Sequence, residues 1–243
     1  MSSFQQTLAE HFPNAIPEAD FVARTYTALL GYGFHKLNTL ACVAVCRDEI
    51  TRPLVDHIHK NWGHSFDLAS LGGMIVAGKT GFNAAHHHAP NLDGRERYVY
   101  YALAHIAIGP AGEIGVCTRP NRNGVSVACG ALQAFLKAFL AEAETGDKTK
   151  TFDFEDSEQS FLRRRLLPAV EALPSPGLLD VTRLAYQAIL EDLERMIALT
   201  VHTDHADYAV LSGIQVHGAG HNFVWPGTLY AVVNAERIAL SLA

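Results

Sequence analysis

Two cysteines and one histidine fall near the ends of elements predicted from the sequence. Cys46 ends an apolar, β-branched run, residues 40–46, that predicts a buried strand. Cys129 lies at a predicted strand-to-helix junction, and His105 lies inside or near the end of a second strand. Two thiolates and one imidazole leave a tetrahedral zinc ion one open position for water, the arrangement of catalytic zinc sites.

Each of these three residues also has an ordinary structural explanation. A lone buried cysteine more often fills core space, and a histidine on an apolar strand is often a hydrogen-bonded core residue. The candidate ligands are far apart in the sequence, and no C-x-x-C pair marks them. We interpret Cys42 and Cys117 as core residues. The spacing alone leaves the metal and core interpretations open.

The composition is ordinary for a soluble globular protein. The 243 residues are 49% hydrophobic and 18% charged, with a formal net charge of -6 at pH 7. No Lys/Arg-rich block is present, which argues against nucleic acid as a partner. No apolar stretch reaches the roughly 18–20 residues that span a bilayer, and no secretory signal pattern opens the chain. We therefore expect a cytoplasmic protein that binds neither nucleic acid nor a membrane.

The predicted elements that must position these residues indicate an α/β fold with a mostly parallel central sheet flanked by helices. Residues 1–38 predict a helical packing segment without chemistry of its own. Residues 39–140 hold the candidate site, and residues 141–243 predict helices followed by closing strands. We expect one α/β domain over residues 1–243, with the site at the carboxyl ends of the strands. The clearest individual predictions are strands at 40–46, 98–108 and 113–118, and helices at 53–62, 157–173 and 180–199.

One segment matches the sequence motif of a phosphate-binding P-loop: GMIVAGKT, residues 73–80. Its spacer is apolar and strand-like, whereas a P-loop needs backbone N–H groups that face phosphate. Pro90 also follows too soon for a long flanking helix. A nucleotide-binding enzyme therefore stays a weaker alternative, as does a different zinc hydrolase.

Several motifs together resemble a known family. Three segments resemble the beta-carbonic anhydrase pattern of a zinc cysteine, an Asp–Arg pair and a second cysteine at a helix start: CRDEITR, GHSFDLASLGG and VACGALQAF. Three more resemble the low-CO2-inducible protein B (LCIB) family, which is similar to beta-carbonic anhydrases in fold and zinc site: AHIAIGPAGEIG, SVACGAL and GKTGFNAAHHHAP. The resemblance is strong over residues 39–140 and implies a beta-carbonic-anhydrase-like fold.

The resemblance implies that zinc is held by Cys46, His105 and Cys129. Ordinary beta-carbonic anhydrases place the metal histidine three residues before the second cysteine, where this chain has Ser126. The metal histidine must come from elsewhere, and His105 matches the family segment.

The resemblance also implies that Asp48 belongs to an Asp–Arg pair. The arginine usually follows the aspartate by two positions, where this chain has Ile50. We expect Arg52 to be the partner of Asp48, with Arg47 as the reserve choice.

By this resemblance the protein is a carbonic anhydrase, a zinc lyase in which a zinc-bound hydroxide converts CO2 to bicarbonate, working as a homodimer. Asp48 would accept a proton from the zinc-bound water or itself occupy the fourth zinc position. The alternative is a catalytically silent member of the same fold that binds a partner or regulates inorganic-carbon handling.

Proton export needs a group that titrates near neutrality, and His86, His87 and His88 are candidates, with a solvated loop as the alternative interpretation. We interpret His57 and His59, two residues apart, as surface residues of a helix. Two further pairs have the spacing of metal ligands but lack a third ligand nearby, and they receive no role: His202 with His205, and His217 with His221.

Overall fold

The computed structural model describes residues 2–119, 123–145, 152–218 and 220–242. The helices are α1 (Ser3–His11), α2 (Glu18–Leu30), α3 (Arg52–Trp62), α4 (Gly78–His86), α5 (Gly130–Thr145), α6 (Ser157–Val170) and α7 (Leu178–Thr200). The strands are β1 (Ile16–Pro17), β2 (Leu40–Ala44), β3 (Ser65–Asp67), β4 (Glu96–Ala107), β5 (Val116–Cys117), β6 (Ser126–Val127), β7 (Ala206–His217), β8 (Asn222–Val233) and β9 (Glu236–Ala239). Short 3-10 turns cover Glu49–Thr51 and Leu71–Gly73.

Seven strands form the central sheet in the order β1-β8-β7-β4-β2-β3, with β9 paired to β8. The four strands β3, β2, β4 and β7 run parallel, and β8, β9 and β1 are antiparallel additions. Strands β4 and β7 pair along their full length of twelve residues. This architecture confirms the predicted α/β fold with a mostly parallel central sheet flanked by helices.

Helices cover both faces of the sheet. Helices α4, α5, α6 and α7 contribute to the hydrophobic core on one face, and α2 and α3 contribute to the core on the other. Alternate residues of β4 enter the two cores, so the strand is buried almost throughout. This double burial explains the continuous apolar runs that mark β2 and β4 in the sequence.

The observed elements differ from the predicted ones at informative places. Strand β2 ends two residues before Cys46, which continues only as a single parallel bridge to Ser70. Helix α3 begins one residue earlier than predicted, with proline in its first turn. The returning strand predicted at 113–118 is only the two-residue β5, which pairs with β6 outside the central sheet.

In the segment that matches the P-loop motif, close packing explains the glycine at position 73. Gly73 has φ +76°, and a Cβ there would lie 2.8 Å from the carbonyl oxygen of Leu103 and 3.4 Å from the amide nitrogen of Cys46. Residues 74–77 are not paired in the sheet, and the helix that follows has nine residues. Glycine is therefore needed where the turn contacts β4 and the end of β2.

Among the described residues, none of the helices combines the length and the apolarity required to cross a membrane.

Candidate metal centre

Cys46, His105 and Cys129 come together at the carboxyl ends of the parallel strands. One potential ligand atom from each residue lies within 4.8 Å of the other two, and the two Sγ atoms are 3.9 Å apart. The residues expose only 4%, 1% and 0% of their surfaces. The structure thus brings together the three residues predicted as ligands, in a number and type that suit zinc with one open position.

Backbone amides direct hydrogen bonds at both sulfur atoms. The first turn of α5 directs the N–H groups of Ala131 and Leu132 at Cys129, and the N–H of Asp48 donates to Cys46. The hydrogen bond with Cys129 lowers the pKa of the Cys46 thiol, whereas the same contact and burial raise the pKa of Cys129. The first proton therefore leaves the pair from Cys46, which gives the thiolate form that binds metal.

The hydrogen bonds around His105 determine which ring nitrogen carries the proton. His105 Nδ1 lies 3.1 Å from His217 Nε2, and His217 Nδ1 lies 3.1 Å from Asn222 Oδ1. Because the amide oxygen only accepts, His217 Nδ1 carries a proton, and its Nε2 accepts one from His105 Nδ1. Burial lowers the pKa of His217 to about 3, so this ring is neutral.

The other nitrogen of His105 is the one suited to a metal. Among the described residues, His105 Nε2 is buried and has no nitrogen or oxygen atom as a hydrogen-bond partner, and the Cys46 thiol lies beside it. Buried polar atoms are almost always satisfied, and this one has a free lone pair beside two thiols. The donor set and the unpaired nitrogen together fit a zinc ion.

Asp48 forms an ion pair with Arg119, a residue that the sequence analysis did not single out. The guanidinium makes two parallel contacts, Nη1 to Oδ1 at 2.5 Å and Nη2 to Oδ2 at 2.7 Å. It also donates to Glu49, to Ser126 Oγ and to the carbonyl oxygen of Val127. Burial opposes ionisation of Asp48, but the hydrogen bonds from Arg119 outweigh it and hold the pKa at about 2.

The structure does not pair Asp48 with Arg52 or Arg47, the arginines that the sequence analysis expected. Arg52 begins α3 and its Nε lies 3.2 Å from Asp56, one helical turn later on an exposed surface. Arg47 pairs with Glu158 at 2.7 Å. The partner comes instead from the end of β5, 71 residues from Asp48 in the sequence. The only sequence signal for it is an arginine just after the short strand that ends in a cysteine.

The histidine cluster at residues 86–88 lies away from the metal centre. His86 Nε2 is 2.7 Å from the hydroxyl of Tyr100, and His88 packs against Phe66. A strand rises about 3.3 Å per residue, so Tyr100 and His105 are separated by about 17 Å along β4. This geometry does not support the proton-export role considered for the cluster.

A cleft of about 390 Å³ lies beside residues 46–48. Its border combines apolar side chains with the polar or charged side chains of Arg52, His59 and Asp67. The cleft gives small molecules a route to the backbone around Cys46 and Asp48.

The sheet, the buried Cys–His–Cys cluster and the adjacent Asp–Arg pair define the class of beta-carbonic-anhydrase-like proteins. Within that class, the family model of limiting CO2-inducible proteins B/C, described as beta carbonic anhydrases, matches residues 15–233. The chain belongs to this family.

Solved structures agree with this assignment. The crystal structure of limiting CO2-inducible protein LCIB is 36% identical, with 97% of this chain and 98% of that chain covered and a TM-score of 0.81. The crystal structure of its homologue PtLCIB4 is 24% identical, with 97% and 99% covered and a TM-score of 0.84, and shows the same fold. Comparison with curated proteins gives no significant match.

Proposed function

We propose that this protein is a zinc-dependent carbonic anhydrase that catalyses the reversible hydration of CO2 to bicarbonate. The observation that carries the proposal is the buried cluster of Cys46, His105 and Cys129, in which His105 Nε2 has no hydrogen-bond partner outside the cluster among the described residues. Membership in a family described as beta carbonic anhydrases supports the same reaction.

Cys46 and Cys129 would bind zinc through their thiolates, and His105 through Nε2. Zinc supplies Lewis acidity, which lowers the pKa of water from 15.7 to about 7 and provides a nucleophile at neutral pH. The N–H groups directed at both sulfurs would stabilise the thiolates.

Asp48 would orient the reacting water. Its pKa of about 2 keeps the carboxylate ionised at neutral pH, and the two contacts from Arg119 fix its plane. A carboxylate oxygen has lone pairs left after these contacts, so Asp48 can accept a hydrogen bond or a proton from water. Arg119 takes the role that the sequence analysis gave to Arg52.

We also propose that the protein acts as a homodimer in the cytoplasm, with CO2 and bicarbonate as its substrates. Light scattering coupled to gel filtration would measure the mass in solution, and a monomer at working concentration would contradict the dimer.

Stopped-flow CO2 hydration on protein of measured metal content tests the proposal. We expect about one zinc per chain and zinc-dependent hydration that a chelator removes. Cys129→Ala should lose the metal and lower hydration by at least about 100-fold, because two remaining ligands hold zinc poorly. Cys42→Ala, a buried cysteine of the same strand region as Cys46, is the matched control and should keep both.

Two outcomes would contradict parts of this proposal. Full zinc occupancy without CO2 hydration would contradict the enzymatic function. It would favour the alternative, a catalytically silent protein of the same fold that binds a partner. Stoichiometric zinc in Cys129→Ala would contradict the ligand assignment.

A further inference from the structure

A continuous chain of hydrogen bonds leads from His105 away from the cluster and across the sheet. His105 on β4 contacts His217 on β7 at 3.1 Å, and His217 contacts Asn222 on β8 at 3.1 Å. Asn222 Nδ2 in turn donates to Glu18 Oε1 at 3.1 Å, where α2 begins directly after β1. This series of hydrogen bonds follows the order of the strands in the sheet, from β4 through β7 and β8 to β1.

Glu18 is an unusual residue to find at the end of this chain. It is 6% exposed, and its second oxygen accepts from Gln215 Nε2 at 2.8 Å. Gln215 lies opposite His105 in the register of β7 and β4, so both lie on the face covered by α2. A buried carboxylate is costly unless several donors satisfy it, and here the donors come from two strands.

The carboxylate of Glu18 determines which atom is the donor in each hydrogen bond of this series. Both oxygens of Glu18 accept from amide NH2 groups, so Asn222 presents its NH2 group to Glu18 and its oxygen to His217. His217 Nδ1 then donates, its Nε2 accepts, and His105 Nδ1 donates. The only nitrogen left with a free lone pair is His105 Nε2, inside the cysteine cluster.

We propose that Glu18, Asn222 and His217 are positioning residues that fix the tautomer and the ring orientation of His105. Histidine ligands of metals usually donate their other N–H directly to a carboxylate or a carbonyl group. Here the carboxylate acts through an amide and a second imidazole. The inference rests on the proposed metal site and assigns to His217 a role in it without direct contact with the metal.

Metal affinity is the first test, measured by competition with a chelator for Zn²⁺. His217→Phe keeps a ring of similar size and removes the acceptor, so the dissociation constant should rise about 10- to 100-fold. His217→Gln supplies an amide oxygen that can accept from His105 Nδ1 and should recover most of the loss. His202→Phe, on an exposed loop, is the matched control and should leave affinity unchanged. Circular dichroism and the unfolding midpoint identify variants that fold.

The second test uses the metal-free protein, so it does not depend on catalysis. Nitrogen-15 NMR should show His105 as the Nδ1–H tautomer in the parent and as a mixture in His217→Phe. If His217→Phe does not fold, Asn222→Ala replaces it, because it removes the oxygen that accepts from His217 Nδ1, and the same change in the His105 signals is expected.

Two results would overturn the inference: His105 as the Nε2–H tautomer in the parent, or a folded His217→Phe with an affinity within about twofold of the parent. Zinc binding without CO2 hydration would instead count against the proposed function alone, and the tautomer of His105 would still decide the positioning role.

Discussion

Asp48 and Arg119 form an ion pair beside the cysteine cluster, and both side chains are only 11% exposed. Removing one partner of such a pair leaves the other charge buried and uncompensated, which costs far more than losing a surface pair. The exposed pair of Arg52 with Asp56 offers a direct comparison, because it contains the arginine that the sequence pattern favoured.

We predict that Arg119→Ala lowers the free energy of unfolding by about 3 kcal/mol and lowers CO2 hydration at least about 10-fold, with zinc still bound. Arg52→Ala should change stability by less than about 1 kcal/mol and leave hydration near the parent value. Chemical denaturation and stopped-flow assays would measure both. Equal effects of the two substitutions on hydration would remove Arg119 from the mechanism.

The sequence alone made the candidate ligands visible because each one lies where a strand ends or a helix starts. It did not reveal Arg119, because that residue follows a two-residue strand and reaches Asp48 from 71 positions away. The role of His217 depends on the register of β7 against β4 and β8. Register between distant strands is set by the packed sheet, and no local pattern of residues records it.

Among the elements, the turn at Leu71–Gly73 packs against the backbone of Cys46 in the candidate metal centre. At Gly73 the strand β4 and the residue Cys46 both approach within the space that a side chain would occupy. Gly78 has a similar positive φ of +61°, but a Cβ there would meet nothing within 4 Å. Alanine substitutions at the two glycines therefore distinguish the cost of a strained φ from the cost of a steric clash.

We predict that Gly73→Ala destabilises the protein by about 3 kcal/mol and Gly78→Ala by about 1 kcal/mol, since both strain φ but only the first forces backbone atoms apart. Gly73→Ala should also weaken zinc binding, because its new methyl group would lie 2.8 Å from the carbonyl oxygen of Leu103 and push β4 away two residues before His105. Urea denaturation and chelator competition would check these values. A Gly73→Ala protein as stable as Gly78→Ala would contradict the close packing.

Element prediction succeeded where the apolar pattern was long and failed where pairing was short. Strands β2 and β4 and helix α3 were predicted within two residues at each end. The sequence analysis missed strand β1, because two residues are too few to show an alternation of apolar and polar side chains. These two residues nevertheless place Glu18 beside the sheet. The N-terminal segment, expected to lack chemistry, thus contributes to the surroundings of the candidate site.

On the scale of the whole molecule, a second ion-pair network joins the opposite end of the sheet. Arg95 makes two contacts to Asp207, at 3.0 and 2.6 Å, and thereby links the start of β4 to the start of β7. The amide of Asn234, in the turn between β8 and β9, donates to the same carboxylate at 2.9 Å. Burial opposes ionisation of Asp207, but the hydrogen bonds from Arg95 and Asn234 lower its pKa below the ordinary value.

A lowered pKa in the folded state means that the stability from Asp207 is fully present above its unfolded pKa of about 3.9 and is lost as pH falls. We predict that Asp207→Asn costs about 3 kcal/mol at pH 7 and progressively less below about pH 4. Asp56→Asn, in an exposed pair, should cost less than about 1 kcal/mol throughout. Denaturation curves at several pH values would measure this, and a cost independent of pH would contradict the ion-pair explanation.

The outer edge of β8 has a consequence for self-association. Strand β1 pairs with Phe223 and Val224, and β9 pairs with the far end of β8. Between them lies Pro226, which has no N–H group to offer. Free strand edges act as templates on which another chain can add a strand and begin to polymerise. Because this edge is shielded at both ends and interrupted in the middle, we do not expect a second copy of the protein to add a strand to the sheet along β8.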